Sequence, residues 1–265
     1  MAPLTDLDGV WGKPTSTLDW CEENYVVTPY IAEFWNTVSN VAMIVPPIMS
    51  MIYLSFCNVE RRFYWACLAF LSVGLGSWCF HMTLLYEMQL LDELPMIWGT
   101  CVLVYAFYES NAQPKSHNYP LALLLLVYAT SVTAIYILTK QPIFHQTAYA
   151  LLVLALVFRG VYCIVVNKQE YSGFLFVYSL VIYATGFFLW NIDNVFCAQL
   201  RQSRESIPAP ASAVLQLHGW WHVLAGLGTH GHIMFSCYLR NRFLKRKATV
   251  WQLGILPFVS VGKAE

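Results

Sequence analysis

The amino-acid sequence predicts an all-α integral membrane protein, a seven-transmembrane helix bundle with its N-terminus lumenal and its C-terminus cytosolic. Three observations predict it. Of 265 residues, 58% are hydrophobic and only 11% are charged, whereas a soluble domain carries about a quarter charged residues. Seven runs, at 31–56, 63–85, 94–110, 120–139, 147–166, 174–197 and 213–240, have the mostly apolar length of about 20 residues that a bilayer-crossing helix needs. The Lys and Arg residues between those runs are shared unequally by the two sides.

Connections as short as CNVERR at 57–62 and NKQEYSG at 167–173 leave no room for a separate soluble domain. The chain therefore divides into an acidic N-terminal segment (1–30), a bundle that carries the chemistry (31–240) and a basic tail (241–265). The start, MAPLTDLDGVWGKPTST, is polar and lacks the apolar core of a signal peptide, so the first span serves as its own insertion signal. Lys13, Lys140, Arg201 and Arg204 fall on one side. Arg61, Arg62, Lys115, Lys168, Arg240, Arg242, Lys245, Arg246, Lys247 and Lys263 fall on the other, which is therefore cytosolic. The RNRFLKRK cluster at 240–247 then reads as an anchor to anionic lipid. The net charge of zero gives no reason to expect nucleic acid.

Ionisable side chains inside apolar spans cost several kcal/mol unless paired, so each is a functional candidate. Their positions converge. His81, in GSWCFHMTL, lies about four residues, or ~6 Å, from the lumenal end of the second span, and Ser77 lies one turn deeper on the same face. His218 and His222, in LHGWWHVL, share a face near the lumenal start of the seventh span. Asp92, in LLDELP, opens the third span at that level, and WNIDNVFC ends the sixth there with Asn191, Asp193 and Asn194. Three histidines from two helices suit zinc, which takes neutral imidazoles and, with three protein ligands, keeps a fourth tetrahedral position for water. The alternative is a hydrogen-bonded packing cluster, for which small residues would serve as well. His230 and His232 lie deeper in the seventh span and read as packing or interhelical hydrogen bonds; His117 and His145 read as loop residues without a partner. Arg159 either snorkels to the cytosolic interface or pairs internally.

Before the first span, STLDWCEENYVVTPYIAEFW gathers Asp19, Glu22, Glu23, Asn24 and Glu33. Several carboxylates, an amide and free loop carbonyls suit calcium, which takes six to eight oxygens; the composition equally describes a solvated acidic tail with Trp20, Tyr25 and Tyr30 at the membrane interface. Of eight cysteines, Cys21 and Cys197 fall at the oxidising surface, where a disulfide would tie this loop to the bundle.

Six segments in order, STLDWCEENY, IAEFWNTVSN, GSWCFHMTL, YEMQLLDELPM, FLWNIDNVFC and LHGWWHVLAGLG, resemble the alkaline ceramidases, most closely the type three, phytoceramidase-like branch. The wider superfamily, shared with adiponectin receptors, has the pattern S-x-x-x-H, Asp and H-x-x-x-H found here. The resemblance implies a zinc amidase that cleaves ceramide, phytoceramide included, to a sphingoid base and a fatty acid in endoplasmic reticulum or Golgi membranes, with its site toward the lumen. It implies His81, His218 and His222 as zinc ligands, with Ser77 and Asp92 assisting. It also implies calcium on Asp19, the Trp20 carbonyl, Glu22, Asn24 and Glu33, and a Cys21–Cys197 disulfide. The resemblance, not spacing, selects Asp92 over Glu93 and Glu22 over Glu23.

On that reading Asp92 takes a proton from water and returns it to the leaving amine, and Ser77 donates to the oxyanion. Asn191 and Asp193 either meet substrate hydroxyls or support a metal histidine. The chief rival is a metal-containing lipid receptor of the adiponectin-receptor type, against which the charge bias argues, because that family has a cytosolic N-terminus. A G-protein-coupled receptor would carry D-R-Y and N-P-x-x-Y, both absent here. A proton pathway would need polar groups across both leaflets. Protein partners are not indicated.

Overall fold

The structure is a computed structural model that describes residues 9–57, 59–166 and 173–264; Lys168, counted above, and residues 1–8 lie outside the described residues. The first span is broken into α1 (Phe34–Ser39) and α2 (Val41–Ser55), and α2 carries Pro46 and Pro47, which remove backbone donors. Then come α3 (Arg62–Thr83), α4 (Tyr86–Tyr108), α5 (Tyr119–Thr139), α6 (Pro142–Val165), α7 (Gly173–Val195), the short α8 (Cys197–Glu205) and α9 (Leu217–Phe243).

Among the described residues, six helical stretches are long and apolar enough to cross a membrane: Phe34–Ser55, α3, the stretch Tyr86–Asn111, α5, α6 and α7. The chain is an integral membrane protein. Leu123, Leu124 and Leu138 of α5 and Phe158 of α6 face outward, as side chains in contact with lipid tails do. The 27-residue α9 is less apolar because it packs inside the bundle, against α7, α2, α1 and α3. Its glycines permit this. A Cβ on Gly228 would fall 2.8 Å from the Tyr183 Cβ, so only a glycine lets the two helices approach so closely.

Two departures from the sequence reading concern the C-terminal region. Instead of an all-α fold with a basic tail, residues beyond α9 form an antiparallel hairpin of β1 (Arg246–Leu253) and β2 (Leu256–Ala264), turning at Gly254 with φ +60°. Val259 and Phe258 are buried, and the hairpin docks on the bundle through Tyr53 Oη to Ser260 Oγ at 2.6 Å and His230 Nε2 to the Pro257 carbonyl at 2.8 Å. Only part of the strand pair is apolar and buried, through Ala248, Phe258 and Val259. Arg240, read as part of a lipid anchor, is fully buried: it pairs with Glu60 at 2.6 Å and donates to the Ser110 carbonyl at 3.2 Å. A buried guanidinium needs such partners.

Candidate active site

Sequence neighbours of the candidate residues dictate where they meet. His81 ends α3, the loop turns at Leu84, whose φ is +52°, and α4 returns antiparallel, so Asp92 in its second turn comes back beside Ser77. Gly76 makes that return close. A Cβ there would lie 1.8 Å from the Leu91 carbonyl oxygen, so any larger residue would push α3 and α4 apart at the level where Ser77 and Asp92 line one cavity.

At the same end of the bundle, α9 begins and presents His218 and His222 one turn apart. The ligand atoms of His81, His218 and His222 all lie within 4.8 Å of one another, the one such group of three His, Cys, Asp or Glu side chains among the described residues. All three are buried. Their outer nitrogens are partly committed. His81 Nδ1 is hydrogen-bonded to the Glu33 carboxylate, and His222 Nδ1 lies 3.0 Å from the Asn36 carbonyl and 2.8 Å from Ser39 Oγ. A carbonyl only accepts, so the His222 proton sits on Nδ1 and leaves Nε2 as a lone-pair donor. The His218 ring stacks on Trp20 with centroids 4.2 Å apart. With the tautomers of His81 and His222 set by Glu33 and Asn36, and the ligand atoms of all three imidazoles converging, the cluster fits a tetrahedral zinc site that keeps one position open.

A cavity of about 420 Å³ opens from this cluster. Its walls are apolar, with Phe70, Met96 and Leu103 among them, and its polar groups include Ser77, Asp92, His218 and His222. A long-chain molecule with one polar head suits such a shape.

The acidic loop closes the same end. Glu22 caps α1, accepting from the Trp35 and Asn36 amides at 2.7 and 2.8 Å, and Glu33 accepts from the Trp20 amide at 3.3 Å and Asn36 Nδ2 at 3.2 Å. Glu22, Asn24 and Glu33 are all buried, and neither polar atom of the Asn24 amide has a partner among the described residues. Burial, reinforced by the neighbouring Glu33, pushes the Glu22 carboxyl up to about 8. Buried carboxylates beside an orphaned amide oxygen are a donor set that a hard cation fits. A Cys21–Cys197 disulfide, with Cα atoms 5.4 Å apart, ties the loop to α8.

The family model for ceramidases matches residues 12–260, a stretch that contains every residue just described. The chain belongs to the ceramidase family. It is 50% identical to alkaline ceramidase 3 of Mus musculus over 260 residues, covering 98% of this chain and 97% of the mouse protein. An alkaline ceramidase of Saccharomyces cerevisiae is 34% identical over 278 residues, covering 96% of this chain and 87% of the yeast protein. One of Arabidopsis thaliana is 26% identical, covering 97% and 98%.

In this ceramidase-family chain some candidates lie apart from the cavity. Asn191 donates to its own helix, to the Phe187 carbonyl at 2.7 Å, and does not line the cavity. Asp193 is buried against the first amides of α9 and the Arg204 guanidinium, where a helix N-terminus favours negative charge. Glu23 faces away from the loop interior and pairs with Arg204 at 3.0 Å, which leaves Glu22 as the inward carboxylate. Several contributors escaped sequence reasoning: Asn36 and Ser39 behind His222, the Trp20 ring on His218, and Arg204, which donates to the Cys21 carbonyl at 2.6 Å. The polar stripe of Glu33, Asn36, Thr37 and Asn40 at helical spacing was the available signal. His145, read as a loop residue, belongs to α6 and contacts Glu93 through Nε2 and the backbone carbonyl at 2.8 Å. Arg159 leans on the Tyr108 and Tyr162 rings.

Proposed function

We propose that this protein is a zinc-dependent intramembrane amidase that hydrolyses the amide bond of ceramide, phytoceramide included, and that the acidic loop holds calcium. The observation that carries the reading is the convergence of His81, His218 and His222 at the polar end of an apolar cavity, beside Ser77 and Asp92. Zinc held by the three histidines would supply Lewis acidity, lowering the pKa of water toward ~7 and polarising a carbonyl.

The chain's own groups do the rest. The apolar walls take the two hydrocarbon chains and exclude water from the head. The Asp92 carboxylate takes a proton from the attacking water and returns it to the leaving amine nitrogen, acting as base and then acid. Ser77 Oγ–H donates to the carbonyl oxygen as negative charge develops there. Glu33 and Asn36, by holding His81 and His222 through Nδ1, fix the rings that face the site.

Calcium on the Asp19, Glu22, Asn24 and Glu33 side chains and the Trp20 carbonyl would neutralise the carboxylates buried there and lock the loop over the cavity. We also propose that α9 is a seventh span, with the N-terminus and the site toward the lumen of the endoplasmic reticulum or Golgi; the unequal Lys and Arg count supports that orientation. The test is release of free fatty acid from ceramide by purified protein, with Asp92→Asn as the control. No release by the unsubstituted protein would refute the reading.

A further inference from the structure

One face of the cavity carries polar groups for which the hydrolytic step has no use. Glu93, the residue after Asp92, and His145 of α6 both line the cavity and are 5% and 2% exposed. Glu93 Oε2 is fully engaged, accepting from the Tyr136 hydroxyl and from Gln89 Nε2 at 2.9 Å. Gln89 is itself fixed by the Thr17 amide, which donates to its Oε1 at 2.7 Å. His145 Nε2 lies 2.8 Å from the Glu93 backbone carbonyl, which only accepts, so the proton is on Nε2 and Nδ1 bears the lone pair.

That Nδ1 is buried and without a hydrogen-bond partner among the described residues. Glu93 Oε1 lies 3.6 Å from it and accepts no hydrogen bond from any described residue either. Two acceptors thus stand side by side in a largely apolar cavity with no donor between them. A buried acceptor left unmatched, as His145 Nδ1 is, is destabilising, and Glu93 Oε1 stands beside it on the cavity wall, so the arrangement suits a ligand that brings two O–H donors.

The geometry points to Glu93 and His145 as a binding subsite for the two hydroxyls that flank the amide-bearing carbon of a sphingoid base. This inference rests on the ceramide-hydrolysing reading. Ceramide's hydrocarbon chains offer no donors, and a subsite that begins one residue after Asp92 reaches the hydroxyls nearest the scissile amide. The fixed network behind Glu93 Oε2 makes the subsite rigid, as discrimination requires.

The test measures kcat/KM of the purified protein, Glu93→Gln and His145→Phe on ceramide and on its 1-deoxy and 3-deoxy analogues. In Glu93→Gln, the Tyr136 and Gln89 donors hold the amide oxygen at the Oε2 position, so the NH2 replaces the free acceptor with a donor at unchanged volume. Loss of either hydroxyl should cost the unsubstituted protein on the order of 10²-fold. Each variant should lose about the same factor on ceramide yet be indifferent to removal of one hydroxyl, so one of the two penalties disappears. If His145→Phe does not fold, Glu93→Gln alone decides. An equal fall on all three substrates would mean a packing role and overturn the inference, as would both penalties surviving in Glu93→Gln. Equal rates on all three by the unsubstituted protein would overturn the subsite alone; no fatty acid from ceramide would overturn the proposed function together with it.

Discussion

The Glu33 carboxylate is hydrogen-bonded to Nδ1 of His81, so one buried side chain joins the acidic loop to the histidine cluster. If the loop holds calcium and the cluster holds zinc, the two ions share a residue. Glu33→Ala should lower zinc affinity about 10–100-fold and weaken calcium binding in the same protein, whereas Glu33→Gln, which can still accept from Nδ1–H, should spare more of the zinc than of the calcium. Zinc and calcium titrations of the two variants check this. An unchanged zinc affinity in Glu33→Ala would mean that the sites are independent.

Asp92 and Ser77 should separate kinetically. A base that moves protons in more than one step cannot be replaced by an amide, so Asp92→Asn should remove nearly all turnover while metal content persists. Ser77→Ala should cut kcat by about 10²–10³ with little change in KM. Gly76→Ala should impair both roles at once, because its Cβ would meet the Leu91 carbonyl. Loss of zinc from Ser77→Ala would show that the hydroxyl supports the metal instead of the oxyanion.

Much of this site was legible because burying charge in a membrane is costly, so histidines and acids inside apolar runs stand out in the sequence. His81, His218 and His222 stand out that way, Ser77 follows as the residue one turn from His81, Asp92 is separated from Glu93 only by the family resemblance, and the structure brings all five to one cavity end. His145 was missed because Gln-Pro at 141–142 reads as a loop, although proline is favoured in the first turn of a helix, and α6 starts there. The hairpin was missed because its apolar strands follow a strongly basic stretch that dominates the reading of the tail. Arg240 was misread for a related reason: a charge count carries no information on which arginine meets Glu60.

Calcium removal should have a pH signature. Glu22 has its carboxyl raised to about 8 in the folded, metal-free chain from an ordinary 4.5. Between those values the folded state holds a proton that the unfolded state has released, so stability of the metal-free protein should fall as pH rises from about 5 to 8. Calcium, by favouring the ionised form, should flatten that slope, and Glu22→Gln should reduce it without calcium, leaving the share of Glu33, whose buried carboxyl is also raised to about 8. Thermal unfolding across this range with chelator and with calcium checks the sign. Stability that rises with pH in the metal-free protein would contradict it.

The loop should depend on its covalent and ionic ties to α8. Cys21→Ser together with Cys197→Ser opens a link across 176 residues of sequence, for which chain entropy sets an upper stabilisation of about 5 kcal/mol. The double variant should unfold at lower temperature and bind calcium more weakly. Arg204→Ala, which removes one of the two arginine donors to the Cys21 carbonyl and the closer partner of Glu23, should act in the same direction. Unchanged calcium affinity in both proteins would detach the loop's anchorage from its function.

The central claim is that three histidines hold a zinc ion on which ceramide hydrolysis depends, and metal reconstitution tests it most directly. Purified protein should contain about one zinc per chain, lose fatty-acid release when a chelator strips it, and recover when zinc alone is restored; His81→Ala, His218→Ala and His222→Ala should each neither retain zinc nor recover. Full turnover in protein shown to be free of zinc, or turnover unaffected by the three substitutions, would contradict the account.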